Sequence, residues 1–334
     1  MALYTLARWL GPWADATRAP EVAVREETIE GAIEGLRVRL YGEPRRRTFL
    51  IAPGLHYAGP DDPRMDRFCR VLAAAGHLVV APFVPAYLAL TPGRSAIEDF
   101  ARVFDALPRW SSAKPVVFSI SFGSLLAFAL AAARGDAIER LVVFGGYADF
   151  SETMRYCLTG EGRDPLNQPV VLMNLLDHLE HAPEQRAALE AAWRRYVEAT
   201  WGRPEMKARD RYLAIAERLA PEVPEPVREL FLVGIGVVPG AWDLASAALA
   251  KYDARALDPA PYLPRITGRV DLVHGADDDV IPYEQSHALA RQLVNANVAV
   301  HITGMYGHTG AQRPPLSAAA RELATMLRVL RVMS

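Results

Sequence analysis

Cysteine is nearly missing from this chain. Cys69 and Cys157 are the only two in 334 residues, enough for one disulfide at most. A disulfide-stapled scaffold is therefore excluded, and nothing requires an oxidising compartment. Lysine is almost as scarce, at Lys114, Lys207 and Lys251, so arginine carries nearly all the positive charge. Neither sign of charge prevails: the net charge is −2, which removes the electrostatic reason to expect a nucleic-acid partner. No apolar run reaches the length of a membrane span. The opening stretch MALYTLARWLGPWADATRAP lacks a basic n-region and an A-x-A pattern behind a long apolar run, so no secretory leader is expected and the expected location is cytoplasmic. Internal repeats and low-complexity tails are also absent.

What is present is the composition of a globular chain, 51% hydrophobic and 23% charged, long enough for one large domain or for a domain with a substantial insertion. Leu3, Leu6, Ala7, Leu10 and Trp13 fall on one face of a short helix. That face is expected to pack on the domain or on a second copy, with a membrane-surface anchor as the sharper alternative. Residues 24–41 offer two strands around Glu30 and Gly31, an antiparallel edge hairpin. Phe49 to Ala52 form a continuous apolar run, the pattern of a strand buried on both faces. Asp61, Asp62 and Pro63 mark a helix start, and Met65, Phe68, Cys69 and Leu72 share one face of a helix that closes at Gly76. The run 77–85 is another buried strand, so a parallel strand–helix–strand crossover follows. Helix 95–107, the strand from Pro115, a helix to Gly135 and the strand 140–149 continue the alternation, which predicts a mostly parallel twisted sheet with helices on both faces.

From 153 to 262 no strand pattern is found. Helical periodicity dominates there, punctuated by Pro165, Pro183, Pro204, Pro221 and Pro239. Strand patterns resume at 268–282 and 298–305, separated by a helix over 283–294 and followed by a closing helix.

The stretch PVVFSISFGSLLAFAL, residues 115–130, passes from a β-branched strand to a helix-forming run through a turn that holds Ser119, Ser121, Gly123 and Ser124. A hydroxyl at the centre of that turn stands at the carboxyl end of a strand, with the positive end of a helix behind it. The segment resembles the nucleophile elbow of the α/β-hydrolase fold, G-x-S-x-G, with Ser119 in place of the first glycine and Ser121 at the nucleophile position. Small residues are needed two before and two after that position, and Ser119 and Gly123 are both small. The resemblance extends to three further segments in the family's order. VHGADDDVIP is similar to its acid loop and places the acid at Asp278, with Asp149 as the alternative. MYGHTG is similar to its terminal strand-to-loop segment and places the base at His308, ahead of His301 and His287. Pro53-Gly54-Leu55-His56 stands where the family carries H-G-x, so Leu55 and Phe122 are the implied backbone donors of an oxyanion hole.

These resemblances cover residues 24–150 and 263–334. They imply an α/β-hydrolase core over 1–152 and 263–334, with a helical cap over 153–262 between the sixth and seventh core strands. The implied activity is that of a serine hydrolase, with a carboxylic ester as the expected substrate class, no cofactor and no metal. An acyltransferase using the same triad and a non-catalytic binding protein of the same fold are the rival readings. Haloalkane dehalogenase chemistry is disfavoured because that subgroup carries aspartate where this chain has Ser121. A solvated turn after a strand is the rival reading of Asp277, Asp278 and Asp279 together; His274 is read as structural, and His56 as either lining the site or holding its loop. A hydrophobic small molecule is the expected partner, and a homo-oligomer is compatible with the sequence. Trp193, Tyr196, Trp201, Tyr212, Trp242 and Tyr252 are read mainly as helix packing, with some available to an acyl group.

Overall fold

The computed structural model describes residues 1–334 apart from 12, 31–34, 181–182, 305, 308–309 and 312–318. The apolar runs form the strands that their composition predicts. In chain order they are β1 (Val24–Ile29), β2 (Leu36–Tyr41), β3 (Thr48–Ala52), β4 (Leu78–Pro82), β5 (Val116–Ile120), β6 (Arg140–Phe144), β7 (Gly268–Gly275) and β8 (Ala296–Thr303). They make one eight-stranded sheet in the order β1-β2-β4-β3-β5-β6-β7-β8. β1 pairs antiparallel with β2 and β2 with β4, whereas every pairing from β4 to β8 is parallel. All residues of β3 and β4 are buried, as strands covered on both faces must be.

Helices α1 (Ala2–Leu10), α2 (Pro63–Ala74), α3 (Pro85–Leu88), α4 (Arg94–Ala106) and α5 (Gly123–Arg134) belong to the sheet unit. Asp62 caps α2, its carboxylate accepting from the Arg64 amide at 2.8 Å, and Pro63 fills the first helical position where no amide is needed. α1 packs on α2 and on the C-terminal helix, with Ala2 and Leu6 buried in the main apolar cluster, while Tyr4 and Trp13 stay exposed. α3 is a short element within the loop that the sequence shows between Pro85 and Pro92. Cys69 and Cys157 are both buried and unbonded to each other.

The chain divides into two units. One comprises Met1–Asp149, Ala256–Asp278 and Tyr283–Ser334 and holds the sheet. Ala256–Asp278 joins it partly because the Leu257 carbonyl accepts from the buried Tyr147 hydroxyl at 2.8 Å. The other comprises Phe150–Arg255 and Asp279–Pro282. Its helices are α6 (Phe150–Thr159), α7 (Gln168–Asn174), α8 (Pro183–Thr200), α9 (Arg209–Leu219), α10 (Glu225–Gly234) and α11 (Ala241–Leu249), with no strand among its described residues. α8 is its centre, packing on α7, α9 and α10. Trp193 is fully buried and donates through Nε1 to the Phe231 carbonyl at 3.2 Å. Gly234 allows that approach, because a Cβ there would stand 2.3 Å from the Trp193 ring. Lys207 closes the unit, lying 3.2 Å from Asp164 and pairing with Asp279. Burial pushes the Asp164 carboxyl up, and Lys207 opposes that shift.

The last two helices of the sheet unit are α12 (Glu284–Gln292) and α13 (Ala319–Met333), both packed against β8. Glu322 at the start of α13 accepts from Thr303 Oγ1 at 2.8 Å and from the Gly304 amide at 2.9 Å. This anchors the carboxyl end of β8.

Candidate active site

β5 lies between β3 and β6, with Ser119 opposite Ala52 on one side and Val143 on the other. The Ser121 amide adds one more bond to this ladder, donating to the Phe144 carbonyl at 2.8 Å. Immediately after it the chain turns into α5. Ser121 takes a φ of 52°, and among the described residues only Leu90 is also a non-glycine residue with positive φ. Left-handed backbone costs a non-glycine residue about 1–2 kcal/mol, so the surrounding structure must impose it.

The neighbours explain how. A Cβ on Gly123 would lie 2.2 Å from the Ala52 carbonyl oxygen and 2.5 Å from that of Pro53, so only glycine lets α5 start this close to β3. Ser119 meets no such demand, which is why a serine is accepted where the elbow pattern usually has glycine. The Ser119 and Ser124 side chains are fully enclosed, whereas Ser121 keeps a small exposed fraction of 7%. The Phe122 carbonyl accepts from the Leu125 amide at 3.2 Å and from the buried Tyr87 hydroxyl at 2.9 Å, which orients the Phe122–Gly123 peptide at the start of α5.

On the other side of the turn lies the loop after β3. A Cβ on Gly54 would stand 3.3 Å from the Ile120 carbonyl and 3.6 Å from Ser121 Cβ, so this loop packs directly on the elbow. Leu55 follows, half-buried, and none of the described residues accepts from its amide. His56 holds the loop. Its Nδ1 accepts from the Ala58 amide at 3.1 Å, its Nε2 lies 3.3 Å from Asp62 Oδ2, and its ring stacks on Tyr57. Burial pulls the His56 imidazole below its usual range, against the opposing influence of Asp62. Burial also pushes the Asp62 carboxyl up, but the Arg64 guanidinium and the other contacts outweigh it and leave the group below its usual value.

The three aspartates after β7 have different surroundings. Asp277 is exposed and Asp279 pairs with Lys207. Asp278 is buried, its Oδ2 3.3 Å from His274 Nε2. His274, fully buried, shares a 2.7 Å hydrogen bond through Nδ1 with Ser286 Oγ on α12. The side chain of Asp278 is thus steadied from β7 and, through His274, from α12. Asp149, the alternative acid, is exposed. His301 points to Asp271, 3.2 Å away, and His287 lies exposed against Tyr283. His308 lies outside the described residues, so the structure describes Ser121 and Asp278, the expected nucleophile and acid, but not the expected base.

The fold has counterparts among solved structures. A serine hydrolase from the polyaromatic-hydrocarbon-degrading bacterium Cycloclasticus zankles aligns over 93% of this chain and 98% of its own, at 16% identity and a TM-score of 0.50. A chain from Bacteroides ovatus, provisionally named a dipeptidyl aminopeptidase IV, aligns over 93% of this chain at 13% identity and a TM-score of 0.50. The present chain spans 36% of the length of that Bacteroides protein. This chain has the α/β-hydrolase fold. No family model and no curated protein matches its sequence.

Within the α/β-hydrolase fold, two residues that support the candidate site, one at the elbow and one beside Asp278, escape sequence reading. Tyr87 belongs to a four-residue helix with no motif around it, and Ser286 is one hydroxyl on an ordinary amphipathic helix. Gln285 is a third positional aid: its Oε1 accepts from the Ala148 and Asp149 amides at 2.9 and 3.0 Å, tying the loop after β6 to α12. Only their partners, distant in the chain, identify them.

Proposed function

We propose that the protein is a serine hydrolase that acts through an acyl-enzyme on Ser121, with carboxylic esters as its substrate class. The observation that carries this reading is the left-handed φ of 52° at Ser121, held between the end of β5 and the first turn of α5. A strained backbone at a serine without a turn glycine of its own is retained where the side chain must be held out from a strand end.

In this mechanism His308 takes the Ser121 proton as Oγ attacks the acyl carbon, and Asp278 fixes the imidazole tautomer and balances its charge. The carbonyl π electrons move to oxygen, and the Leu55 and Phe122 amides stabilise the resulting oxyanion. His308 then protonates the leaving alcohol. Water, deprotonated by the same imidazole, attacks the acyl-enzyme, and collapse of the second tetrahedral intermediate releases the acid and Ser121. In the same reading residues 153–262 are the cap that selects the substrate, a hydrophobic small molecule.

A fluorophosphonate probe is expected to label the protein at Ser121, and Ser121→Ala is expected to abolish the labelling. Labelling that persists in Ser121→Ala sinks the assignment. A series of p-nitrophenyl esters of increasing acyl length, with wild type and His308→Ala, then tests the substrate class. Turnover of at least one ester, reduced at least a thousandfold in the variant, is the expected result.

A further inference from the structure

Strands β6 and β7 carry, at their amino ends, cationic side chains that the proposed chemistry does not use. Arg140 opens β6 and Arg269 is the second residue of the parallel strand β7. Together with His301 on β8 and Arg328, Arg331 and Val332 on α13, they line a cavity of about 430 Å³. Arg328 and Arg331 are three residues apart and therefore share a face of α13.

Counter-charge is scarce here. Asp271, fully buried, lies 3.5 Å from Arg140 Nη1, 3.2 Å from Arg269 Nε and 3.2 Å from His301 Nε2. One carboxylate therefore serves two guanidinium groups and an imidazole. Arg47 is close by, donating to the Val332 carbonyl at 3.1 Å, but Glu139 meets its charge at 3.2 Å. Arg328 and Arg331 are exposed and form no ion pair among the described residues. Arg140 Nε is buried with no acceptor among them. Burial and the neighbouring Arg269 charge together pull the Arg140 guanidinium below its usual range in spite of Asp271.

We propose that this cavity is a binding site for a small phosphate-bearing dianion. Guanidinium groups from three elements surround it, and each offers a planar fork of donors that matches two oxygens of a phosphate. A monocarboxylate occupies one such fork, whereas a phosphate with its terminal oxygens on different sides engages several. The cavity is larger than orthophosphate and leaves room for an organic substituent or a second phosphate. A duplex or single strand of nucleic acid needs a cationic stripe that follows a backbone, whereas these side chains gather around one cavity.

The test is isothermal titration of the full chain with orthophosphate, pyrophosphate and a nucleoside monophosphate, with acetate as control, all at one ionic strength because exposed arginines are screened by salt. At least one phosphate compound is expected to bind at least tenfold more tightly than acetate. If orthophosphate suffices, the ligand is the free anion; if only the ester or pyrophosphate binds, it carries a substituent. The variant R328Q/R331Q, altered at exposed positions and checked for native circular dichroism, is expected to weaken that binding at least tenfold. Ser121→Ala is expected to leave it unchanged. Phosphate binding no tighter than acetate overturns the proposal. Equal affinity in R328Q/R331Q overturns it too.

Discussion

At the scale of single residues, the elbow separates a strict position from a permissive one. Gly123 faces two backbone carbonyls at 2.2 and 2.5 Å, and backbone cannot step aside as a flexible side chain can. Gly123→Ala is therefore expected to destabilise the protein by about 3 kcal/mol or more, the upper range of overpacking costs. Ser119→Gly, which restores the usual elbow glycine, is expected to change stability by less than about 1 kcal/mol, because the modest entropic cost of glycine in a strand is the main effect. Urea denaturation midpoints of the two variants check both statements. A Gly123→Ala protein as stable as wild type would show that the tight approach of α5 to β3 is not required. Both residues look alike in the sequence, small and two places from Ser121. Only the neighbours distinguish them.

At the scale of elements, the short helix α3 braces the start of α5. Its Tyr87 hydroxyl is buried and donates to the Phe122 carbonyl at 2.9 Å. The same burial pushes the phenol far above its usual range, so it remains a donor across ordinary pH. Tyr87→Phe removes this bond, yet the carbonyl keeps the Leu125 amide at 3.2 Å and is not orphaned. The expected loss is thus about 1 kcal/mol, the net value of one hydrogen bond, and not the larger penalty of an unsatisfied buried acceptor. Differential scanning calorimetry measures it, and a loss well above 3 kcal/mol would contradict the accounting. The loop after β7 is organised in the same way, with His274 joining Asp278 to Ser286 of α12. The H-G-x-x-D pattern marks where that histidine stands; what it joins depends on α12 returning beside β7.

At the scale of the whole molecule, stability is expected to depend on pH through enclosed imidazoles. His77 is fully buried between the end of α2 and β4, edge-on to Phe49, its Nδ1 accepting from the Arg47 amide at 3.3 Å. Burial, reinforced by the charges of Arg47 and Arg46, pulls its pKa down to about 4. The unfolded chain binds this proton more readily than the folded one. Stability from His77 is therefore complete above about pH 6.5 and declines as pH falls toward about 4. His56, shifted in the same direction, adds to the decline. Melting temperatures between pH 7 and pH 4 are expected to fall for wild type and to fall less for His77→Phe, which keeps the ring packing and removes the titrating group. An unchanged slope in the variant would exclude His77 as a contributor.

The parallel sheet, its antiparallel edge, the long strandless segment and the serine at the strand–helix turn were all legible in the residues alone. These follow from local rules: apolar runs bury strands, glycine and proline end elements, and small residues permit a tight turn. What only the tertiary structure decided is which distant groups meet. Three consecutive aspartates carry the same chemistry as a sequence, and become an exposed group, a buried partner of His274 and an ion pair with Lys207 only when the chain is folded. The arginine cavity is equally hidden, because its members come from β6, β7 and α13 and no spacing relates them. Periodicity and turn chemistry act over a few residues and are written locally, whereas charge and burial act through space, where sequence distance has no meaning.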